Sequence, residues 1–359
     1  MTHYPSSTTV LSQQSRRRTH LTLNTTLTVS GLSINGLDSH TKYLTTETPY
    51  APEGRKLYPL IKSKGSEDEI NEIFQSIRKQ AEEHNVADPL IPATDALVTS
   101  ICFTGAASLS HVLSCIERNK ARLLAIGPES ETARQQVIES VMSYWENRVG
   151  TAVTLVDKLI NYGIILPQSV IMWALGPDRL GNGSRLSETH IYEVVSSTMN
   201  KITHRLRQVA AYKIQSAKQA KLGNPLPEDQ VQQIEERLVM ERDGMRQLFS
   251  TIDDAVSGVA AGAADGFIEA DGSKFFGEDQ AILVKGWGER WARVFRRQSA
   301  VQEAVVGEAA IAASVSLAEA EAEKEKARQD AMMTDAANGN GEADADGGAR
   351  MEDVAADIE

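Results

Sequence analysis

Apolar residues recur at helical spacing along most of this chain. In TLVDKLINYGIILPQSVIMWAL, residues 154–175, Leu155, Val156, Leu159 and Ile160 fall on one wide stripe. Gly163 predicts the end of that helix, and Pro167 suits the first turn of the next, where a missing N–H costs nothing. Val170, Ile171 and Trp173 supply the second helix with a buried body. After a Gly-rich turn, residues 186–209 predict a long helix with Ser187 as N-cap. Its single apolar face carries Ile191, Val194, Val195, Met199, Ile202, Leu206 and Val209.

The same period continues on both sides. Ser66 and Glu69 form a capping box ahead of Ile70, Ile73, Phe74 and Ile77. A helix starting near Thr94 carries Leu97, Ile101 and Cys102; Gly105 interrupts it, and Leu109, Val112, Leu113 and Ile116 continue on another. Residues 130–148 bury Val137, Val141, Tyr144 and Trp145. Pro225 and Pro227 open a helix with Val231, Ile234, Leu238, Met245, Leu248, Phe249 and Ile252, which a Gly/Ala stretch at 257–266 breaks. Trp287, Trp291, Val294 and Phe295 mark one more packed helix. An Ala/Glu-rich helix follows, with pairs such as Glu321/Lys324 and Glu323/Lys326, and its large apolar groups run out after Leu317. Helices that cannot cover their own apolar faces must cover one another's. The pattern therefore predicts an all-α fold of stacked antiparallel helix pairs, an α-solenoid of the HEAT-like kind. Four segments are expected: a disordered Ser/Thr-rich stretch at 1–48, a helical-repeat domain at 49–300, an Ala/Glu-rich helix at 301–330 and an acidic disordered tail at 331–359.

Five blocks carry a family resemblance: SLSHVLSCIER (108–118), VIESVMSYWENR (137–148), LVDKLI, SVIMW and IYEVVSSTMNKI, together holding Trp145, Asp157, Lys158 and Trp173. Their order and spacing resemble the large subunit of the nuclear mRNA cap-binding complex, in its fungal-like form. The likeness is to its last helical-repeat domain, of the type named for the middle domain of translation initiation factor four gamma. It covers roughly residues 49–295, and two earlier helical domains of that family have no counterpart here. The resemblance implies a scaffold without catalysis or cofactor. Its partner would be a small RNA-recognition-motif subunit whose tyrosines stack the methylguanosine cap, so that capped mRNA is reached only through that subunit. Roles in splicing, mRNA export and nonsense-mediated decay follow, with a nuclear location and shuttling to the cytoplasm left open. A helical-repeat adaptor in cytoplasmic translation initiation or mRNA decay would use the same architecture, but the succession from LVDKLI to MNKI favours the nuclear complex.

Charge narrows the partners. The net charge of −12 is concentrated in the tail, where eight acidic residues after Ala331 face Arg350 alone. No broad basic surface remains to bind RNA or DNA by counterion release, which favours a scaffold for an RNA-binding partner. No apolar run approaches the length of a membrane span. Arg16, Arg17 and Arg18 imitate an organelle presequence, but the alternation of Leu21, Leu23, Leu27 and Val29 suits a strand rather than the amphipathic helix such a leader needs. Cys102 and Cys115 lie thirteen apart without a second pair, which predicts small buried groups rather than a zinc site.

Several motifs imitate chemistry. FIEADGSKFFGE, residues 267–278, has the spacing of a calcium loop but places Phe267 where the first oxygen ligand belongs. Gly272-Ser273-Lys274 lacks the earlier glycine of a phosphate loop. His111 is expected to pack, and His190 to be exposed near its helix start. Trp145 and Trp173 could stack a methylated base, yet their apolar spacing assigns them to the core with Leu159, Ile191, Val195 and Ile202. No catalytic, metal or cofactor residues are expected. Asp157, Lys158, Lys201, Arg205 and Arg207 are the candidate partner-binding charges.

Overall fold

The computed structural model describes residues 42–44, 49–180, 182–262 and 278–339. Among them there is no strand. Thirteen α-helices follow one another: α1 Ala51–Ser63, α2 Glu67–Glu83, α3 Leu90–Thr104, α4 Leu109–Arg118, α5 Lys120–Glu129, α6 Glu131–Tyr144, α7 Val149–Asn161, α8 Pro167–Leu175, α9 Pro177–Leu180, α10 Thr189–Lys221, α11 Glu228–Ala260, α12 Glu278–Val306 and α13 Glu308–Gly339. The fold is an all-α solenoid in which each layer closes the apolar side of the one before it. Helix α3 is enclosed by α1, α2 and α6; α6 leads through α7 and α8 to α10, which α11 and α13 flank; α12 packs on α11. One continuous core runs from Tyr43 to Ile311.

Local chemistry sets the helix ends. The Ser66 hydroxyl accepts from the Glu69 amide, and the Glu69 carboxylate takes the Ser66 amide in return at 3.0 Å. Ser108 and Ser130 cap α4 and α6 in the same way, accepting from His111 and Ala133. Gly163 has φ 74 at the α7–α8 turn, the left-handed region a glycine enters without a Cβ clash. At Gly105, a Cβ would lie 2.3 Å from Val112 Cα, so the sharp α3–α4 corner depends on its absence.

The structure departs from the sequence reading in several places. Ser187 does not cap α10. It ends a 3₁₀ turn, Ser184–Ser187, where its hydroxyl donates to the Ser184 carbonyl at 2.7 Å, and Glu188 takes the cap position without a side-chain bond. Helix α3 starts at Leu90 rather than near Thr94, because Asp88 Oδ1 accepts the Leu90 amide at 3.0 Å. Helix α11 runs to Ala260, into the Gly/Ala stretch expected to break it, and α13 passes residue 331 to reach Gly339, since Ala331, Met332 and Met333 are good helix formers. Leu109, Val231 and Val294 are exposed despite their apolar register, and His111 is exposed with Nδ1 2.8 Å from the hydroxyl of Ser108.

The folded body also begins earlier than residue 49. Lys42–Leu44 forms a 3₁₀ turn, and Tyr43 is buried against α1 and α3. A Cβ on Gly54 would stand 2.7 Å from the Tyr43 ring, so that glycine makes the room. The remainder of 1–48, residues 340–359 and the calcium-like segment 267–277 lie outside the described residues.

Helices α12 and α13 together, within Asp279–Thr334, contain an 18-residue window of mean hydropathy 1.3, of which 22% is buried. By length and composition this run could cross a membrane, which the sequence reading did not anticipate. Glu303 and Glu308 near its middle are held by α11: Arg246 takes Glu303 in a two-pronged pair at 2.7 and 2.9 Å, and buried Arg242 meets Glu308 at 3.1 Å.

Candidate partner-binding surface

The five charges singled out in the sequence do not converge on one patch. Lys201 reaches from α10 to α7, where its ammonium lies 2.6 Å from Asp157 Oδ1, 2.6 Å from Asn161 Oδ1 and 3.0 Å from the Asp157 carbonyl. Lys158, half-buried beside this seam, forms no ion pair among the described residues. Arg207 donates from Nε to Gln302 on α12 at 3.1 Å. Arg205 leans the other way, 3.9 Å from Glu241 on α11. Asp157 and Lys201 are thus brought together, and Arg205 and Arg207 serve separate seams.

Arg205 also borders a cleft that the sequence reading missed. Between α10 and α11 lies a space of about 460 Å³, with Val209 and Ile234 as its floor and Arg205, Gln208, Tyr212, Gln233 and Arg237 around it. The Tyr212 ring is half open to solvent, and Arg237 has no ion pair among the described residues. Farther along the seam, Lys213 on α10 and Glu235 on α11 pair at 2.6 Å. An apolar floor rimmed by guanidinium, amide and phenol groups suits a polypeptide: it offers hydrogen bonds in both directions and one large amphipathic contact. The one signal in the sequence was Tyr212, an aromatic ring among the polar positions of α10.

Trp145 and Trp173 leave no free ring face of the kind base stacking needs. Trp145 is buried and meets Tyr144 edge-on at 5.2 Å. Trp173 is buried, its indole N–H donates to Glu139 at 2.8 Å, and the guanidinium of Arg185 covers the ring at 4.8 Å. The same Glu139 oxygen receives Arg179 at 2.8 Å. Leu159, Ile191, Val195 and Ile202 are likewise buried.

Two further interior groups define how the body is held. Asp95 on α3 is buried and takes hydrogen bonds from the Tyr43 hydroxyl at 2.5 Å, Ser140 at 2.6 Å and Gln136 at 3.1 Å, with Lys42 at 2.5 Å as its ion pair. Burial first, and the Asp95 charge second, raise the Tyr43 phenol well above its ordinary value of 10.0. Cys102 and Cys115 are free and buried, and burial pushes the Cys102 thiol up to about 12. Among the described residues, no group of three or more His, Cys, Asp or Glu could hold a metal ion.

The chain belongs to the MIF4G-like family, whose model matches residues 42–304. That match opens at Lys42, the residue with which the buried Tyr43 turn begins. The chain is similar to nuclear cap-binding protein subunit 1 of Schizosaccharomyces pombe, with 30% identity over 122 residues, covering 34% of this chain and 15% of that protein. It is also similar to nuclear cap-binding protein subunit 1 of Arabidopsis thaliana, with 19% identity over 114 residues, covering 31% of this chain and 13% of that protein. The chain therefore spans a small part of the length of the curated relatives it matches.

Proposed function

We propose that this chain is a non-enzymatic scaffold of a nuclear cap-binding complex, presenting the α10–α11 cleft to a small RNA-recognition-motif subunit. The observation that carries this reading is the family match over residues 42–304 together with the similarity to two nuclear cap-binding subunits; the cleft between two 33-residue helices lies inside that span and supplies the contact surface. The scaffold acts on the partner's ensemble. A rigid helical surface that holds flexible ends of the small subunit in their binding-competent state raises apparent cap affinity by the fraction so ordered. The cap is read by the partner, which accords with the two enclosed tryptophans and the acidic balance of this chain. Splicing, mRNA export, nonsense-mediated decay and a nuclear location belong to this proposal. Arg205, Arg237 and Tyr212 are assigned to the partner contact; Asp157, Lys158, Lys201 and Arg207 are not.

Co-expression with the small subunit, followed by size-exclusion chromatography, tests the complex. Fluorescence anisotropy with capped and uncapped oligonucleotides, with and without the partner, tests the division of labour. The expected result is a stable complex, with cap selectivity appearing only when the partner is present. Cap selectivity by the isolated chain would overturn the scaffold reading. Capture of a cytoplasmic initiation factor in place of an RNA-recognition-motif protein would replace it with the adaptor reading.

A further inference from the structure

Helix α12 presents a second surface, on a face that no other described helix covers. Its inner side is occupied: Val284, Trp291 and Phe295 are buried, Trp291 donates to the Leu186 carbonyl at 3.0 Å, and Arg296 is paired with Asp253 of α11 at 2.6 Å. Along the outside run Leu283, Trp287, Val294, Val301 and Val305. At 3.6 residues per turn these five positions fall within about 40° of one another, a straight line of roughly 33 Å. Leu283 is 64% exposed, Val294 44%, Val301 47% and Val305 49%, and Trp287 is partly buried. Isolated exposed apolar side chains are ordinary; five in register on one helix are a patch.

One edge of this line is basic. Arg290 stacks on Trp287 at 5.1 Å and Arg297 has no ion pair among the described residues, while Arg293 lies 4.0 Å from Glu289 of its own helix. On the other edge Gln298 is tied to Asn200 of α10 at 3.1 Å, and Tyr192 packs edge-on against Trp291 at 5.2 Å. The surface is thus an apolar line with a positive rim on a chain of net charge −12.

We propose that the outer line of α12 with its arginine rim is a docking face for an acidic amphipathic helix of a protein partner. Such a helix lays apolar residues at i, i+4, i+7 and i+11 along the line and its carboxylates against Arg290, Arg293 and Arg297. Two other occupants fit less well. A second copy pairing antiparallel about Val294 sets Arg290 of one chain against Arg297 of the other, like charge on like charge. The chain's own acidic tail would have to cross to the line in extended form, not as a helix laid along it. Arg207 meets Gln302 and Lys221 meets Glu323, so α13 runs on beside α10, away from the line. Its end at Gly339 lies about 50 Å of helix beyond Val305, a gap that about fifteen extended residues must bridge before any contact forms.

The full chain is titrated, without the small subunit, into a labelled synthetic helical peptide of about 20 residues. The peptide carries leucines at the spacing above and glutamates beside them; the control keeps the leucines and replaces each glutamate by lysine. The expected result is binding of the acidic peptide at least about tenfold tighter than the control. That advantage is expected to vanish in Arg290→Glu/Arg297→Glu, and binding in Val294→Asp/Val301→Asp. These side chains are solvent-facing, and unchanged circular dichroism confirms folding. Equal affinity for the two peptides, no binding, or variants that bind as the parent does would overturn the proposal. So would flotation with phosphatidylserine vesicles, or a dimer in light scattering, abolished by Val294→Asp/Val301→Asp. None of these readouts depends on the cap or the small subunit.

Discussion

The Lys201 ammonium of α10 sits 2.6 Å from the Asp157 carboxylate of α7, an ion pair that ties the two helices at the edge of their apolar seam. The lysine's other contacts, to Asn161 and to the Asp157 carbonyl, also stay within α7. A cation so occupied has little left for a partner, whereas Arg237 at the α10–α11 cleft has no ion pair among the described residues.

That contrast is testable by separating stability from binding. Lys201→Ala is expected to cost up to about 1 kcal/mol in urea denaturation, because the pair is only partly shielded from water. It should leave affinity for the small subunit within about twofold. Arg205→Glu/Arg237→Glu is expected to do the reverse, weakening the complex by tenfold or more by calorimetry with little change in Tm. Equal loss of binding in both variants would move the contact to the α7 seam.

Trp173→Ala is expected to destabilise the fold by about 3–5 kcal/mol, the range for deleting a large buried aromatic. Trp173→Phe keeps most of the packing and removes one of the two donors to the Glu139 oxygen, leaving Arg179 on it, and should cost less. Denaturant midpoints of the two variants check the order; a loss under about 1 kcal/mol for the alanine form would mean the site is not core.

Tyr43 predicts a weakness in alkali. Its folded value is raised above 10.0, so above that pH the unfolded chain releases the phenolic proton while the folded chain keeps it. The folded state then binds more protons, and stability must fall as pH rises beyond about 10, by at most about 1.4 kcal/mol per unit from this group. Below about 10 the group contributes no slope. Tyr43→Phe is expected to be less stable at pH 7, through loss of the Asp95 bond, yet to show a shallower decline between about pH 10 and 11. Identical slopes in parent and variant would refute the assignment.

The cysteines are expected to be silent in the folded chain. With Cys102 pushed up to about 12 and both side chains buried, neither should react with a thiol reagent at about pH 8, and both should react in denaturant. A rapidly reacting thiol under native conditions would show that α3 or α4 opens readily.

What the sequence made legible was governed by neighbours within one or two turns. The stripe of Leu155 and Leu159, the stop at Gly163, the restart at Pro167 and the Ser66–Glu69 box each depend on residues within a few positions. Ser187 failed because a nearby carbonyl, that of Ser184, competed for its hydroxyl. Tyr43 was invisible for a different reason: it stands in a Ser/Thr-rich stretch, and its burial depends on Asp95, 52 residues away, and on the space left at Gly54. The cleft was missed likewise, since Tyr212 and Arg237 look like ordinary polar-side residues until α10 and α11 lie side by side.

The turn at Lys42–Leu44 works as a stopper in the wall of the stack. A protease that cuts between Leu44 and Ala51 leaves all thirteen α-helices uncut, yet it frees the phenol that fills the space over Gly54 and binds Asp95. The interior carboxylate then loses two of its neighbours, Tyr43 and Lys42, and α1 and α3 lose the ring between them. Three residues of turn therefore decide whether the Asp95 carboxylate and the α1–α3 seam stay covered.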